Sequence, residues 1–174
     1  MPEITVAPAG KLSRGDLADL CDATIEAIRD GIGFGWVRPP THERLESYWK
    51  GVLLVPERSL FIGRLDGTVA GSVQLLKPPP NFEAGTFGAG IDTHFVAPWA
   101  RGHGLARDML GAFEDRAREA GFMQISLDVR ETQEPAIALF ERHGYARWGE
   151  KKKYARANGK FVGGIFYVKD VTPA

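Results

Sequence analysis

Apolar residues along this chain recur with a period of two in some stretches and near 3.6 in others, and the changes of period outline its elements. Residues 3–7 (EITVA) alternate apolar and polar and predict a short opening strand. Beyond Ser13, the residues Leu17, Leu20, Cys21, Thr24, Ile25 and Ile28 form one helical stripe. Ser13 and Asp16, three apart, match a helix-start signature, and Gly31 marks the stop. The segment 31–40 (GIGFGWVRPP) carries three glycines and two prolines, which exclude regular structure. Thr41 then caps a predicted helix over 42–52, with Leu45, Tyr48, Trp49 and Val52 on its inner face.

From residue 59 the period shortens. SLFIGRL and TVAGSVQLL read as two strands joined by the hairpin turn Asp66-Gly67, and the prolines 78–80 end the second. A third strand spans roughly 86–96 and is closed by Pro98. Leu105, Met109, Leu110, Phe113 and Ala117 then return at helical spacing, with Gly121 placed as a C′ residue. QISLDV (124–129) predicts a strand, and PAIALFERHG (135–144) a helix with proline in its first turn and glycine at its end. Two last strands, about 145–154 and 161–169, meet at Asn158-Gly159. The order β-αα-βββ-α-β-α-ββ predicts one mixed α/β domain over 1–174, with no repeat or linker.

Composition narrows the function classes. Lys plus Arg equals Asp plus Glu at 22 each, so net charge gives no reason to expect nucleic acid or an anionic membrane as partner. Cys21 is the single cysteine, so neither an internal disulfide nor a thiolate zinc site can form, and no metal is expected. The first residues lack a signal-peptide layout, and no window approaches the roughly 18 apolar residues of a spanning helix. A cytoplasmic location is the expectation.

The chemistry concentrates in residues 96–106, VAPWARGHGLA. A strand ends, a glycine turn follows, and an amphipathic helix begins at once. The first N–H groups of a helix have no internal partner and carry partial positive charge. Glycine lets phosphate oxygens approach them, and Arg101 adds a guanidinium. A P-loop is excluded because Leu105-Ala106 stands where Lys-Ser/Thr is required. A dinucleotide fingerprint is excluded because Arg107 occupies the place of its third glycine.

Arg101-Gly102-His103-Gly104-Leu105-Ala106 resembles the R/Q-x-x-G-x-G/A signature of the GNAT acetyltransferase superfamily, with V-x-P just upstream. PAIALFERHGY (135–145) is similar to that family's A-I-x-L-Y-E-x-x-G-F/Y helix, and the likeness covers about 59–170. Residues 28–52, with GSVQL, SLDVRET and YARANGKF, are similar to a subgroup of small-molecule acetyltransferases that includes tabtoxin-resistance-like proteins.

The resemblance implies a GNAT fold: a mixed sheet of about seven strands with helices on both faces, binding acetyl-CoA as co-substrate. It implies that Val96 pairs with the pantetheine arm, and that Arg101, Gly102, His103, Gly104, Leu105 and Ala106 hold the pyrophosphate. Gln133 stands where the family often has a cofactor-binding Asn. Phe140 stands where the family often has the Tyr that protonates the leaving thiolate, so the proton donor is left open, with Tyr145 and Tyr154 as substitutes. Strand alternation puts Asp92 and His94 together toward the cleft, and Asp128 with Ser126 and Arg130 on one side of the next strand. Each of Asp92, His94 and Asp128 is either a catalytic group or a structural one. Phe34 and Trp36, within the glycine-rich loop 31–36, are either the wall of an acceptor lid or anchors to the core. The expected activity is N-acetylation of a primary amine on a small molecule. The alternatives are a non-catalytic acyl-CoA-binding module and an acetyltransferase of protein or peptide amines. A monomer and a homodimer both remain open.

Overall fold

The computed structural model describes residues 1–32 and 34–174, so Gly33 of the predicted lid lies outside the described residues. Strand β1 (Ile4–Pro8) leads into helix α1 (Arg14–Arg29), whose first turn is closed by the Ser13 hydroxyl accepting from the Asp16 N–H at 3.0 Å. Thr41 caps α2 (His42–Leu54) through the Arg44 N–H, and this helix runs two residues past its predicted end. Strands β2 (Arg58–Leu65) and β3 (Thr68–Leu76) meet at Asp66-Gly67, both with positive φ, as a tight hairpin turn requires. Strand β4 (Gly88–Val96) follows and leads through a short 3-10 turn, Pro98–Ala100, to α3 (Leu105–Glu119). Strand β5 (Gln124–Arg130), helix α4 (Glu134–Arg142) and the long hairpin β6 (Ala146–Ala157) and β7 (Lys160–Asp170) complete the predicted order.

The seven strands form one sheet in the order β1-β2-β3-β4-β5-β7-β6. Two apolar clusters sandwich it. Leu20, Cys21, Leu45 and Trp49 from α1 and α2 pack on Leu60, Ile62, Val69 and Phe95. On the opposite face Met109, Leu110 and Phe113 of α3 and Phe140 of α4 pack on Phe61, Val73, Ile125 and Leu127. Cys21 is fully buried, and burial pushes its thiol up to about 12, so it behaves as core.

Two irregularities shape the function. All neighbouring strands are antiparallel except β4 and β5, which run parallel and pair only from Gly88–Gly90 against Gln124–Ser126. Past Gly90 and Ser126 no ladder joins them, and their carboxyl ends part. The second irregularity is a bulge in β4. Ser72 pairs with Phe95 and Gln74 with Asp92, so Thr93 and His94 together oppose Val73. Thr93 takes φ 43°, a costly conformation for a β-branched residue. The extra residue breaks the expected alternation. Asp92 faces the α1/α2 side, where its partner Arg58 also bonds Gln74, itself bonded to Tyr48 of α2. His94 faces the other side, against Ala106 of α3 and Phe140 of α4. The two residues expected on one face are therefore on opposite faces.

Candidate active site

The parting of β4 and β5 opens a cleft of about 750 Å³, lined by β4 from Ile91 to Val96 and by β5 from Leu127 to Arg130. The turn before α3, the first turns of α4, the loop after α1 and Tyr154 close its sides. Parallel strands need a crossover, and here that crossover is α3, so the helix start necessarily lies at the carboxyl end of β4.

Gly102 (φ 82°) and Gly104 (φ 89°) take left-handed conformations, and Gly104 is the N-cap of α3 without any side-chain cap. A Cβ on Gly102 would meet nothing within 4 Å, and one on Gly104 would meet the Arg107 guanidine at 3.1 Å. The backbone at Gly102 is thus uncovered, the Arg107 guanidine lies beside Gly104, and α3 is long enough to carry a full end dipole. That arrangement fits a diphosphate. His103 is exposed, Leu105 is buried under α3, and Ala106 lies in the first turn with its carbonyl on His94. Arg101 reaches elsewhere: its guanidinium bonds the Val96 carbonyl at 3.2 Å and the carboxylate of Asp30. Val96 itself is buried at the cleft wall.

The β4 bulge is held by a buried polar network that the linear pattern does not reveal. Gln74 is fully buried in a strand that otherwise reads as apolar. Its amide donates to Thr93 Oγ1 at 2.6 Å and to the Tyr48 hydroxyl, and its carbonyl accepts from Arg58 at 2.7 Å. Arg58 also binds Asp92 at 3.0 Å, Asp92 accepts from the Thr93 N–H, and Ser72 donates to the Thr93 carbonyl. Both Asp92 oxygens are therefore occupied in fixing the bulge. Gln74 in GSVQLL was the one signal that could have pointed to this network.

His94 donates through Nε2 to the Ala106 carbonyl at 2.9 Å, which leaves Nδ1 as the acceptor. Burial, partly countered by that carbonyl, pushes its pKa down to about 4. His94 thus stays neutral and is a weak proton acceptor.

Across the cleft, Asp128 is exposed and accepts from the Tyr154 hydroxyl. Burial and the facing Asp128 carboxylate hold the Tyr154 phenol above its usual range. The Tyr154 ring lies over Gly164, where a Cβ would come within 2.2 Å of it. The absence of a side chain at 164 is therefore what admits Tyr154 to the cleft. Phe140 is buried and packs between His94 and Tyr145. Tyr145 lies behind it, its buried hydroxyl without a hydrogen-bond partner among the described residues, with burial and nearby Glu114 raising its pKa. It does not line the cleft, whereas Tyr154 does.

The α1–α2 loop is tied across the mouth of the cleft. Gln133 at the start of α4 donates to the Gly31 carbonyl at 3.0 Å, Arg101 bonds Asp30, and Phe34 packs edge-on to Phe95 at 4.7 Å. Phe34 lines the cleft. Trp36 does not, and packs on Tyr48 at 5.1 Å.

The acetyltransferase (GNAT) family model matches residues 22–145. The chain is 58% identical over 133 residues to an uncharacterized N-acetyltransferase from the hisH-hisA intergenic region of Azospirillum brasilense, covering 76% of this chain and 79% of that one. Among solved structures it is similar to a phosphinothricin acetyltransferase from Sinorhizobium meliloti in complex with AcCoA, at 19% identity and TM-score 0.80 over 97% of this chain and 89% of that one. A ribosomal-protein-alanine N-acetyltransferase from Brucella melitensis gives 19% identity and TM-score 0.80 over 96% of this chain and 99% of that one. With a split parallel strand pair, a bulged β4 and a glycine cradle at the start of α3, the chain belongs to the GNAT family and is an acetyl-CoA-dependent N-acetyltransferase.

Proposed function

We propose that this enzyme, a single domain over residues 1–174, acetylates the primary amine of a small molecule by direct attack. The observation that carries the reading is the α1–α2 loop, held to Gln133, Arg101 and Phe95 so that it spans the cleft mouth. A loop tied down at three places leaves room for a compact acceptor and obstructs a polypeptide. Val96, the turn from Arg101 through Gly102, His103, Gly104 and Leu105 to Ala106, Gln133 and the Phe140 wall form the cofactor side. Phe34 borders the acceptor, and Trp36 supports the loop from behind.

Bound acetyl-CoA supplies the acyl group as a thioester, and the amine nitrogen forms the amide bond as the carbon–sulfur bond breaks. Asp128 receives the amine's proton. It is exposed to the cleft and has one oxygen without a donor among the described residues, in contrast to Asp92 with both engaged. Asp92 acts instead through Arg58 and Thr93 as a positioning residue for the bulge. Phe140 has no exchangeable proton and Tyr145 is walled off behind it. The Tyr154 hydroxyl is committed to Asp128, so the thiolate leaves without a dedicated acid, as a thiol pKa of ~8.5 permits.

The test is acetyl-CoA turnover, followed as free thiol, against small primary amines and against peptides of varied N-terminus and lysine content. Small amines are expected to react at least ten-fold faster in kcat/KM. Preference for peptides would transfer the reading to protein acetylation.

A further inference from the structure

Arg130 is the cation of the cleft that the reaction as described does not use. It lines the cleft, is half-buried, and its side chain makes no hydrogen bond or ion pair among the described residues. The other cleft arginines are engaged: Arg101 with Asp30, Arg107 with Asp108, and Arg142 with the Ala138 carbonyl. A cleft guanidinium without a protein acceptor is free to pair with an anionic group of a ligand.

Its placement follows from the ladder. Strand β5 pairs with β7 without a bulge, Asp128 against Phe166 and Arg130 against Gly164. Directly opposed residues share a face, and residues two apart on a strand share a face. Asp128, Arg130, Phe166 and Gly164 therefore lie on one side of the sheet. Tyr154 lies over Gly164 and edge-on to Phe166, so the same side holds the Asp128–Tyr154 pair. Leu127 and Val129 point the other way, into the cluster formed with α3 and α4. Arg130 thus faces the acceptor lobe, away from the helices whose ends form the phosphate cradle. The Cα atoms of Asp128 and Arg130 stand about 6.6 Å apart along the strand, two residues at ~3.3 Å each.

We propose that the acceptor is a small amine that also carries an acidic group, a carboxylate or a phosphonate, within a few bonds of the nitrogen. Arg130 receives the anion, and Asp128 with Tyr154 receives the amine. The anion fixes which lone pair points at the thioester, so Arg130 is a specificity-determining contact and takes no proton. This inference rests on the small-molecule reading above.

The experiment uses the twenty free amino acids, a set of aminoalkyl phosphonates, and the carboxamide counterpart of each amino acid, with wild type and with Arg130→Met and Arg130→Lys. Each variant is checked by thermal melting and by calorimetric titration with CoA. Wild type is expected to favour the acid over its amide by about ten- to a hundred-fold in kcat/KM, mostly through KM. Arg130→Met should bring that ratio toward one while CoA affinity is retained, and Arg130→Lys should restore part of it. Amides acetylated as well as acids by wild type would overturn the proposal while leaving the small-amine reading intact. So would a ratio unchanged in Arg130→Met, or a loss of CoA affinity in that variant, which would assign Arg130 to the cofactor. No turnover of any small amine would overturn both readings.

Discussion

Gln74→Met is the sharpest probe of how the site is built, because it keeps the shape of a fully buried side chain and removes three hydrogen bonds. The bond to Tyr48 is long at 3.3 Å and contributes least. Loss of the 2.6 Å bond strands the Thr93 hydroxyl, which is only 7% exposed, and Arg58 loses one of two acceptors. With about 1–2 kcal/mol for each of these, the expected destabilisation is about 2–4 kcal/mol. For a chain of this length that corresponds to a fall in Tm of roughly 5–15 °C. Thr93→Gly alone should be near neutral, since relief of a β-branched residue at φ 43° offsets the lost hydroxyl and the added chain entropy. In the Thr93→Gly background Gln74→Met should cost about 1–2 kcal/mol less, because no hydroxyl remains to be stranded. Chemical and thermal unfolding of the four proteins measures the cycle. Strict additivity, or a Tm within ~2 °C of wild type for Gln74→Met, would refute the claim that this amide holds the bulge.

Other consequences follow from the same geometry. Asp128→Asn should lower kcat by about a hundred-fold or more while CoA titration is unchanged, and full activity in the variant would remove Asp128 as proton acceptor. Gly164→Ala should displace the Tyr154 ring, which a Cβ would approach to 2.2 Å, and raise KM for the amine without altering CoA affinity. His94 has a folded pKa of about 4 against an ordinary 6.5, so below pH 6.5 the unfolded chain takes up a proton that the folded chain refuses. Stability from this group is therefore lost as pH falls from 6.5 toward 4, and His94→Gln should flatten that part of the stability profile relative to wild type. Tyr145→Phe removes a buried hydroxyl without a partner and should leave Tm unchanged or raise it by a few degrees; a clear drop would mean the hydroxyl is paired.

Much of the architecture was legible because it depends on local chemistry. Ser13 and Thr41 start helices since their hydroxyls satisfy free N–H groups one turn on, and Asp66-Gly67 and Asn158-Gly159 turn since both residues tolerate positive φ. The phosphate cradle is of the same kind, since Gly102 and Gly104 take without strain the positive φ that this turn needs. Strand alternation failed at one place, between Asp92 and His94. The bulge there is stabilised by Gln74, Arg58 and Ser72, whose bonds to it span 19 to 34 residues of sequence, and no period along β4 encodes them.

What the sequence by itself determined, then, is the order of elements, their caps and turns, and the backbone that can hold a phosphate. These rest on interactions within a few residues. Only the tertiary structure decided which carboxylate is free and which is consumed. Asp92 and Asp128 read alike as acidic strand residues, but the folded sheet places Arg58 and a bulged N–H on Asp92 and leaves Asp128 one open oxygen beside Tyr154 and Arg130. The reason is physical: hydrogen-bond partners across a sheet are chosen by register, and register is a property of the assembled strands.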